Sequence, residues 1–218
     1  VLYVHFFEEH NYGHHKNVGT YEDPATARRG EWLYSFVLRS IIFGWIGAWK
    51  IEHKRLTRNG GTAVSLKNEV LVWQLFQIGL MALVYYFLGP LVLCCVVLAS
   101  FISVFILEAI NYIEHYGLTR KNLENGKYEF VQPHHSWNSS YKVSNWVLIN
   151  LQRHSDHHFK PARSFPLLQN LGANKAPQLP HSYPAMGILA LFPRAWMSVM
   201  NPRVKRWRGM FYPEITEW

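Results

Sequence analysis

Cysteine is scarce in this sequence of 218 residues. The two cysteines, Cys94 and Cys95, are adjacent and lie inside a long apolar run. Adjacent cysteines cannot link distant segments, so a disulfide framework is excluded. This pattern suits a protein that faces the cytosol, and any metal site must use ligands other than thiolates.

Charge is absent from residues 70–107, a run of 38 residues. One helix of this length would be about 57 Å long, nearly twice the hydrocarbon thickness of a bilayer, so the run must fold back. Gly89-Pro90 lies at its centre and combines a turn signal with a helix breaker. We therefore predict a hairpin of two transmembrane helices, Val70–Leu88 and Leu91–Leu107. The alternative is a hairpin buried inside a soluble protein.

Positive charge and histidine are also absent from this run, because all 22 Lys and Arg and all 12 His lie outside it. Positive residues near the ends of spans mark the cytoplasmic face. If only the hairpin crosses, segments 1–69 and 108–218 lie on the same side, and we expect both to be cytoplasmic. The predicted fold is an all-α integral-membrane helical bundle with a transmembrane hairpin and a cytoplasmic, helical, histidine-rich cap.

Two further apolar stretches are poor candidates for crossing a membrane. Leu33–Trp49 carries Arg39 near its middle, so we expect it to be interfacial or re-entrant. Tyr183–Met200 is interrupted by Pro193-Arg194 and is too short on either side of the break to span a bilayer. We expect this second stretch to lie along the membrane surface.

The histidines are grouped. Residues 8–15 read Glu-Glu-His-Asn-Tyr-Gly-His-His. On an α-helix His10 and His14 lie one turn apart, and His15 lies about 100° further round. Two imidazoles at this spacing can share a metal, and the alternative is a solvated polar patch.

A second group occupies residues 151–158, which read Leu-Gln-Arg-His-Ser-Asp-His-His. His154, His157 and His158 fall at positions i, i+3 and i+4, so they share one face of a helix. Asp156 is placed either to orient a ligand imidazole through its second nitrogen or to balance charge.

A polar stripe continues the second arm of the hairpin. Glu108, Asn111, Tyr112 and His115 follow one another at one-turn steps. Ionisable groups at a membrane boundary are costly and usually functional. The alternative is that Glu108 and His115 simply begin an aqueous loop, and we expect Glu114 to be solvated.

The remaining histidines are weaker candidates. His134 and His135 follow a proline and so begin a turn or a helix. Their adjacency would allow ligation, but we favour a supporting or structural role. His5, His53 and His181 stand apart from the groups, and we expect none of them to bind metal.

Seven histidines thus form a candidate metal site: His10, His14, His15, His115, His154, His157 and His158. Seven nitrogen donors exceed the needs of one tetrahedral zinc and imply two metals, while imidazole ligation leaves iron, copper, zinc and nickel open. We add Glu108 and Asp156 as acidic residues that assist the ligands or handle protons. The residues alone predict a dinuclear transition-metal site in a membrane protein; a non-enzymatic metal-binding or transport protein is the alternative from another class.

Three segments closely resemble the signature boxes of bacterial alkane 1-monooxygenases. They are Glu9–His15, Asn111–Gly117 and Leu151–His158, and the resemblance extends to Glu22–Ala25 and Pro133–Ser139, nearly the whole chain. The second box, Asn-Tyr-Ile-Glu-His-Tyr-Gly, discriminates best, because related membrane desaturases share spaced histidine boxes but do not usually read this way.

This resemblance implies a membrane enzyme with two non-heme irons held by histidines. It implies the terminal hydroxylation of medium- to long-chain alkanes to 1-alkanols with O₂ and electrons from rubredoxin. It also implies a multi-pass protein of the bacterial inner (cytoplasmic) membrane with its active site on the cytoplasmic side. An alkane offers nothing to hydrogen-bond, so it must be bound by apolar burial while the metal supplies the reactivity. A related di-iron fatty-acyl desaturase or methyl-group hydroxylase is the nearest alternative.

One part of the family pattern is absent. The family's first histidine box, a His-Glu-x-x-His-type helix that supplies two more ligands, does not occur, and His5 has no partner histidine at that spacing. The sequence also begins at Val1, inside what reads as an apolar helix. We therefore expect the C-terminal part of a longer enzyme, which by itself would hold metal weakly.

The net charge of +8 suits a membrane surface or an acidic partner. A basic patch could receive an acidic electron carrier or rest on anionic lipid. Its charged residues are Arg203, Lys205, Arg206 and Arg208. The other basic residues are scattered and form no recognisable reading motif, so nucleic-acid binding is not expected.

Overall fold

The computed structural model describes residues 2–58, 60–123 and 126–215. These residues form helices joined by turns and irregular segments, and no β-strand occurs among them. Strand-like pairing in the described ranges is limited to two isolated bridges, Asn122 with Tyr128 and Asn138 with Gln178. The all-α prediction is confirmed.

The helices of the first half include one π-helical segment. In chain order they are α1 (His5–Glu8), a π-helix (Glu9–His14), α2 (His15–Asn17), α3 (Leu33–Arg58) and α4 (Glu69–His115).

The second half is built from shorter helices and long loops. Its elements are a 3₁₀ turn (Pro133–His135), α5 (Lys142–Val147), α6 (His154–Phe159), a second 3₁₀ turn (Phe165–Leu167), α7 (Tyr183–Ala190) and α8 (Pro193–Phe211).

The chain divides into two compact units. The first unit comprises Val1–Lys16 and Leu38–Glu108, and the second comprises Asn17–Val37 and Ala109–Trp218. The first unit therefore contains the π-helix and most of α3 and α4. The second unit contains the C-terminal end of α4 and all the later helices.

Helix α4 is the apolar element of the structure. It has 47 residues, but Gly89 has φ 80° and ψ 175°, outside the helical region, and precedes Pro90. The helical geometry is thus interrupted at the predicted Gly89-Pro90 step, which leaves two apolar arms. Among the described residues, α4 is the one helix that is long and apolar enough to cross a membrane.

Most side chains in the apolar arms of α4 face outward. Only 11% of the most apolar 18-residue stretch of α4 is buried. Tyr86 and Leu91, on either side of the Gly89-Pro90 step, are 79% and 77% exposed. The alternative of a hairpin inside a soluble core would require these side chains to be covered. A continuous exposed apolar surface of this kind indicates a membrane protein. The reversal of direction between the two arms stays a prediction.

The two weaker apolar stretches are also helical. Leu33–Trp49 lies within α3, an unbroken helix of 26 residues, so it contains no turn of the kind that a re-entrant segment needs. Tyr183–Met200 breaks where predicted, because α7 ends at Ala190 and α8 begins at Pro193. Proline suits the first position of a helix, where no backbone N–H is required. Their position at a membrane surface stays a prediction.

Aromatic side chains form the core of the second unit. Tyr112 and Tyr116, near the end of α4, pack against Trp196 of α8 with ring centroids 5.1 Å and 5.3 Å apart. All three are fully buried. The Tyr112 hydroxyl donates to the Glu31 carbonyl at 2.7 Å, and the Tyr116 hydroxyl donates to Asn201 Oδ1 at 2.8 Å. The hydrogen-bonded hydroxyls of the two buried tyrosines and their ring packing against Trp196 fix the end of α4.

Gly117 closes this end of α4. Its φ is +69°, and its N–H donates to the Ala27 carbonyl at 2.8 Å. A Cβ atom at this position would lie 2.9 Å from Val204 Cγ2. The left-handed backbone and the close approach of Val204 both require glycine.

We expect Gly117→Ala to destabilise the protein more than Gly126→Ala. Both glycines have positive φ, +69° and +73°, but a Cβ at Gly126 would meet nothing within 4 Å. Both substitutions carry about 1–3 kcal/mol of backbone strain, and Gly117→Ala adds about 1–3 kcal/mol of overpacking. Unfolding in detergent, followed by circular dichroism, measures the difference. Equal destabilisation would contradict the steric account.

Candidate metal centre

Three histidines of the second unit converge through their ring nitrogens. His115 ends α4, and His154 and His158 lie on α6. The Nε2 atom of His154 lies 3.0 Å from that of His115 and 2.9 Å from that of His158. All three side chains are buried, with at most 3% of their surface exposed.

These distances are compatible with the ligands of one metal ion. A ring nitrogen carries either one proton or one in-plane lone pair, so His154 Nε2 can make only one of its two contacts as a hydrogen bond. Nitrogen ligands lie about 2.0–2.1 Å from a metal such as zinc, which places neighbouring ligands of one ion about 2.9–3.4 Å apart. The geometry of the three rings fits a shared ion better than a hydrogen-bonded chain.

Helix α6 positions two of these rings through its regular spacing. His154 and His158 are four residues apart, and their ring centroids lie 4.5 Å from each other. The His157 ring is 5.5 Å from that of His154 and is partly exposed. The predicted face of i, i+3 and i+4 histidines is therefore present in the structure.

The start of α6 is anchored by a loop whose part in the site the sequence did not reveal. The Ser155 N–H donates to Asn138 Oδ1 at 2.8 Å, and the Ser155 hydroxyl donates to the Ser136 carbonyl at 2.7 Å. All three residues are buried. The Ser-Trp-Asn segment thus holds α6 by buried hydrogen bonds. The only sign of this role in the sequence was that Pro133–Ser139 resembles the family pattern.

The histidines of the first unit lie on a π-helix. His10 and His14 belong to the π-helical segment, and His15 follows it directly. A π-helix bonds residue i to residue i+5, so it carries more residues per turn than an α-helix. The Nε2 atoms of His10 and His15 accordingly lie 3.2 Å apart. The expectation that His15 points about 100° away assumed α-helical geometry and is wrong for this segment.

Glycines make room for a buried carboxylate beside these histidines. Glu9 is buried, and a Cβ at Gly13 would lie 2.6 Å from its Oε1 atom. A Cβ at Gly47 would lie 3.5 Å from Glu9 Cγ. Because His14 is also fully buried, the segment is not the solvated polar patch considered as its alternative.

The polar stripe of α4 is buried along its length. Glu108, Asn111, Tyr112 and His115 are all buried, and the helix continues to His115. This rules out the alternative in which Glu108 and His115 begin an aqueous loop. Glu108 Oε1 accepts a hydrogen bond from the Tyr3 hydroxyl at 2.6 Å, within the first unit.

Glu114 is buried, so the expectation that it is solvated is wrong. Only 1% of its surface is exposed. The reason is that α4 stays helical past Glu114 and is covered by the loop that contains Trp137. The backbone N–H of Trp137 donates to the backbone carbonyl of Glu114 at 2.8 Å.

The Asp156 carboxylate contacts Arg163 and Gln169. Its Oδ2 atom lies 2.5 Å from Nη1 of Arg163 and accepts the Gln169 N–H at 2.8 Å. Of the two roles predicted for Asp156, this geometry supports charge balance at α6.

A third group, Glu129, His134 and His135, surrounds the Tyr212 hydroxyl. Tyr212 Oη lies 3.1 Å from His134 Nε2 and 2.6 Å from His135 Nε2, and it donates to Glu129. The Gln132 N–H donates to His135 Nδ1 at 2.9 Å, which leaves the proton of neutral His135 on Nε2. That nitrogen offers no lone pair to a metal. The group is a hydrogen-bond network, in agreement with the structural role favoured for both histidines.

This network keeps a carboxylate ionised. Burial alone would raise the pKa of Glu129, but hydrogen bonds from His135, Tyr212 and the Lys121 N–H lower it to about 2. Burial, assisted by the charge of His135, lowers the pKa of His134 to about 4. Both groups therefore stabilise the folded protein less as the pH falls. The contribution of His134 is lost between pH 6.5 and about 4, and that of Glu129 between pH 4.5 and about 2.

We expect Glu129→Gln to remove the part of the stability curve that falls between pH 4.5 and 2. Tyr212→Phe should cost about 1–3 kcal/mol at pH 7, because it deletes a donor to a half-buried carboxylate. Tyr128→Phe, a neighbouring tyrosine whose ring faces Arg120, is the control. Unfolding in detergent as a function of pH measures all three, and an unchanged acid limb in Glu129→Gln would contradict this account.

The described residues thus define a helical membrane protein with buried and partly buried histidines whose ring nitrogens face one another. The sequence profile of the fatty acid desaturase family matches residues 1–190, and the chain belongs to this family.

Curated relatives narrow this assignment. The chain is 46% identical over 207 residues to alkane 1-monooxygenase 1 of Alcanivorax borkumensis and 44% identical over 209 residues to alkane 1-monooxygenase of Ectopseudomonas oleovorans. These matches cover 95% and 96% of this chain but 51% and 52% of the relatives. A more distant relative is the xylene/toluene monooxygenase hydroxylase component of Pseudomonas putida, which is 29% identical over 198 residues. This match covers 89% of this chain and 51% of the relative. The predicted resemblance is confirmed, and the chain spans about half the length of the curated relatives it matches.

Proposed function

We propose that this chain is part of an alkane 1-monooxygenase that hydroxylates the terminal methyl group of medium- to long-chain alkanes with O₂. One observation carries the proposal. The buried Nε2 atom of His154 lies 3.0 Å from that of His115 and 2.9 Å from that of His158, in a chain that is 46% identical to an alkane 1-monooxygenase.

The metal proposed for this site is a pair of irons. The proposed ligands are the seven histidines predicted from the sequence: His10, His14, His15, His115, His154, His157 and His158. Imidazoles without thiolates suit iron, copper, zinc and nickel, and the monooxygenase relatives favour iron among these. When bound, the irons supply the O₂ chemistry that side chains cannot perform.

The contribution of the protein itself is burial and orientation. His115, His154 and His158 are buried, so water is largely excluded from their part of the site. Helix α6 is fixed by the hydrogen bonds of Ser155, which limits movement of its two converging rings. The exposed apolar side chains of α4 offer a surface that an alkane dissolved in the bilayer can reach.

Electrons are proposed to come from rubredoxin, an acidic carrier. On α8, Lys205 and Arg206 are exposed, whereas Arg203 and Arg208 are partly buried. This basic patch could receive the carrier or lie on anionic lipid, as the sequence predicted.

The first test is the product formed under ¹⁸O₂. The full-length natural protein, supplied with reduced rubredoxin and an alkane, should yield a 1-alkanol that carries ¹⁸O. His154→Ala should lower product formation by at least about 100-fold, because it removes a buried ligand. His53→Ala, an exposed histidine outside the groups, should leave it unchanged. An alkene without ¹⁸O would instead identify a desaturase and overturn the proposal.

We further propose that the enzyme is a multi-pass protein of the bacterial inner membrane, with segments 1–69 and 108–218 in the cytoplasm. The interruption at Gly89 and the exposed apolar surface of α4 support a hairpin between these segments.

Labelling of single cysteines with an impermeant maleimide tests this topology in a chain whose Cys94 and Cys95 are replaced by alanine. Lys67→Cys and Asn122→Cys are exposed positions on either side of the hairpin and should react only from the cytoplasm. Leu91→Cys should react only from outside. Reaction of Lys67→Cys and Asn122→Cys from opposite sides would show a single crossing and exclude the hairpin.

A further inference from the structure

Glu114 and His115 are neighbours on α4, yet both side chains reach the same imidazole. Glu114 Oε2 lies 3.2 Å from His154 Nε2, and His115 Nε2 lies 3.0 Å from that same atom. Consecutive residues of an α-helix point about 100° apart. His154 therefore lies in the angle between the two side chains.

The Glu114 carboxyl group is deeply buried. The Tyr183 hydroxyl lies beside it and can donate either to this carboxyl group or to the Trp137 carbonyl, which is 3.2 Å away. No lysine or arginine in the described ranges forms an ion pair with Glu114. Glutamate is rarely buried to this extent without a basic partner, and a metal ion at the neighbouring ring nitrogens would provide one.

Asp156 shows what a balanced carboxylate looks like in the same unit. It is also buried, but Arg163 matches its charge and the Gln169 N–H satisfies it further. In the described ranges Glu114 has no such ion pair with a lysine or arginine, and its Oε2 atom lies 3.2 Å from a ring nitrogen of the candidate metal centre.

We propose that Glu114 supplies a carboxylate ligand to the metal ion held by His115, His154 and His158. Ligands of one ion lie about 2.9–3.4 Å apart when their bonds measure about 2.0–2.2 Å. The three distances from His154 Nε2 are 2.9, 3.0 and 3.2 Å, to His158, His115 and Glu114. Hydrogen bonding cannot account for all three, because this nitrogen has one proton or one lone pair.

A carboxylate would change the character of this site. It places one negative charge among neutral imidazoles and so offsets part of the charge of the ion in a buried, low-dielectric environment. Non-heme iron(II) oxygenases commonly combine histidines with a carboxylate, whereas soft ligands favour copper(I). The inference rests on the proposed di-iron function and extends its ligand set beyond histidine.

Iron retention in the full-length natural protein tests the role of Glu114. Glu114→Gln keeps the shape of the side chain but removes its charge. It should weaken the binding of one iron by about 10–100-fold, so that a graded chelator removes one iron from Glu114→Gln under conditions that leave two in the unaltered protein. The ⁵⁷Fe Mössbauer parameters of one iron should change as well. Glu129 is a carboxylate that contacts His135, a histidine outside the candidate centre. Glu129→Gln is therefore the matched control and should keep both irons.

The outcomes separate this inference from the proposed function. Two irons with an unaltered Mössbauer spectrum in Glu114→Gln would overturn the inference and leave a hydrogen bond between Glu114 and His154. An unaltered protein without iron would overturn the proposed function itself.

Misfolding of the variant is tested separately by helicity and gel filtration. If Glu114→Gln does not fold, Glu114→Asp keeps the charge, shortens the side chain and should change the same Mössbauer site. If neither variant folds, the unaltered protein labelled with ¹³C-glutamate decides. Its iron-loaded minus metal-free infrared spectrum must show a shifted carboxylate band, and the absence of that band would overturn the inference.

Discussion

Three buried ring nitrogens converge on one another at about 3 Å, an arrangement that one set of hydrogen bonds does not satisfy, and much of the second unit holds them there. His115 is fixed because α4 ends among Tyr112, Tyr116 and Trp196, whose hydroxyl and ring contacts leave little freedom. His154 and His158 are fixed because α6 is anchored through Ser155. Such preorganisation costs stability in the metal-free protein, since polar groups are buried without water.

Helix α4 combines two environments that rarely occur in one element. Its apolar arms expose side chains that only lipid can cover, and its C-terminal end buries Glu108, Glu114 and His115. The proposed hydroxylation of alkanes would use both, because an alkane dissolves in the bilayer whereas a metal needs polar ligands. Gly117, which follows, lets the chain turn shortly after His115.

Local periodicity predicted the parts of the structure that depend on neighbours in sequence. The interruption at Gly89, the break before Pro193 and the shared face of His154 and His158 all follow from spacing and from the chemistry of glycine and proline. The π-helix was missed because its residue pattern is also compatible with an α-helix.

Long-range contacts account for the remaining differences. Glu114 was expected to be solvated, since nothing near it in sequence shows its contacts with the Trp137 backbone and with His154 of α6. The network around Tyr212 joins residues more than 70 positions apart and carries no local signal. The seven histidines could be chosen from sequence because a metal requires a particular donor type, whatever fold supplies it.

The central claim is that these histidines hold a pair of irons. The most direct measurement is the elemental metal content per chain of the full-length natural protein, purified in mild detergent. The account predicts close to two irons per chain. A single zinc, or no stoichiometric metal, would contradict it and return the chain to the metal-transport or structural alternatives.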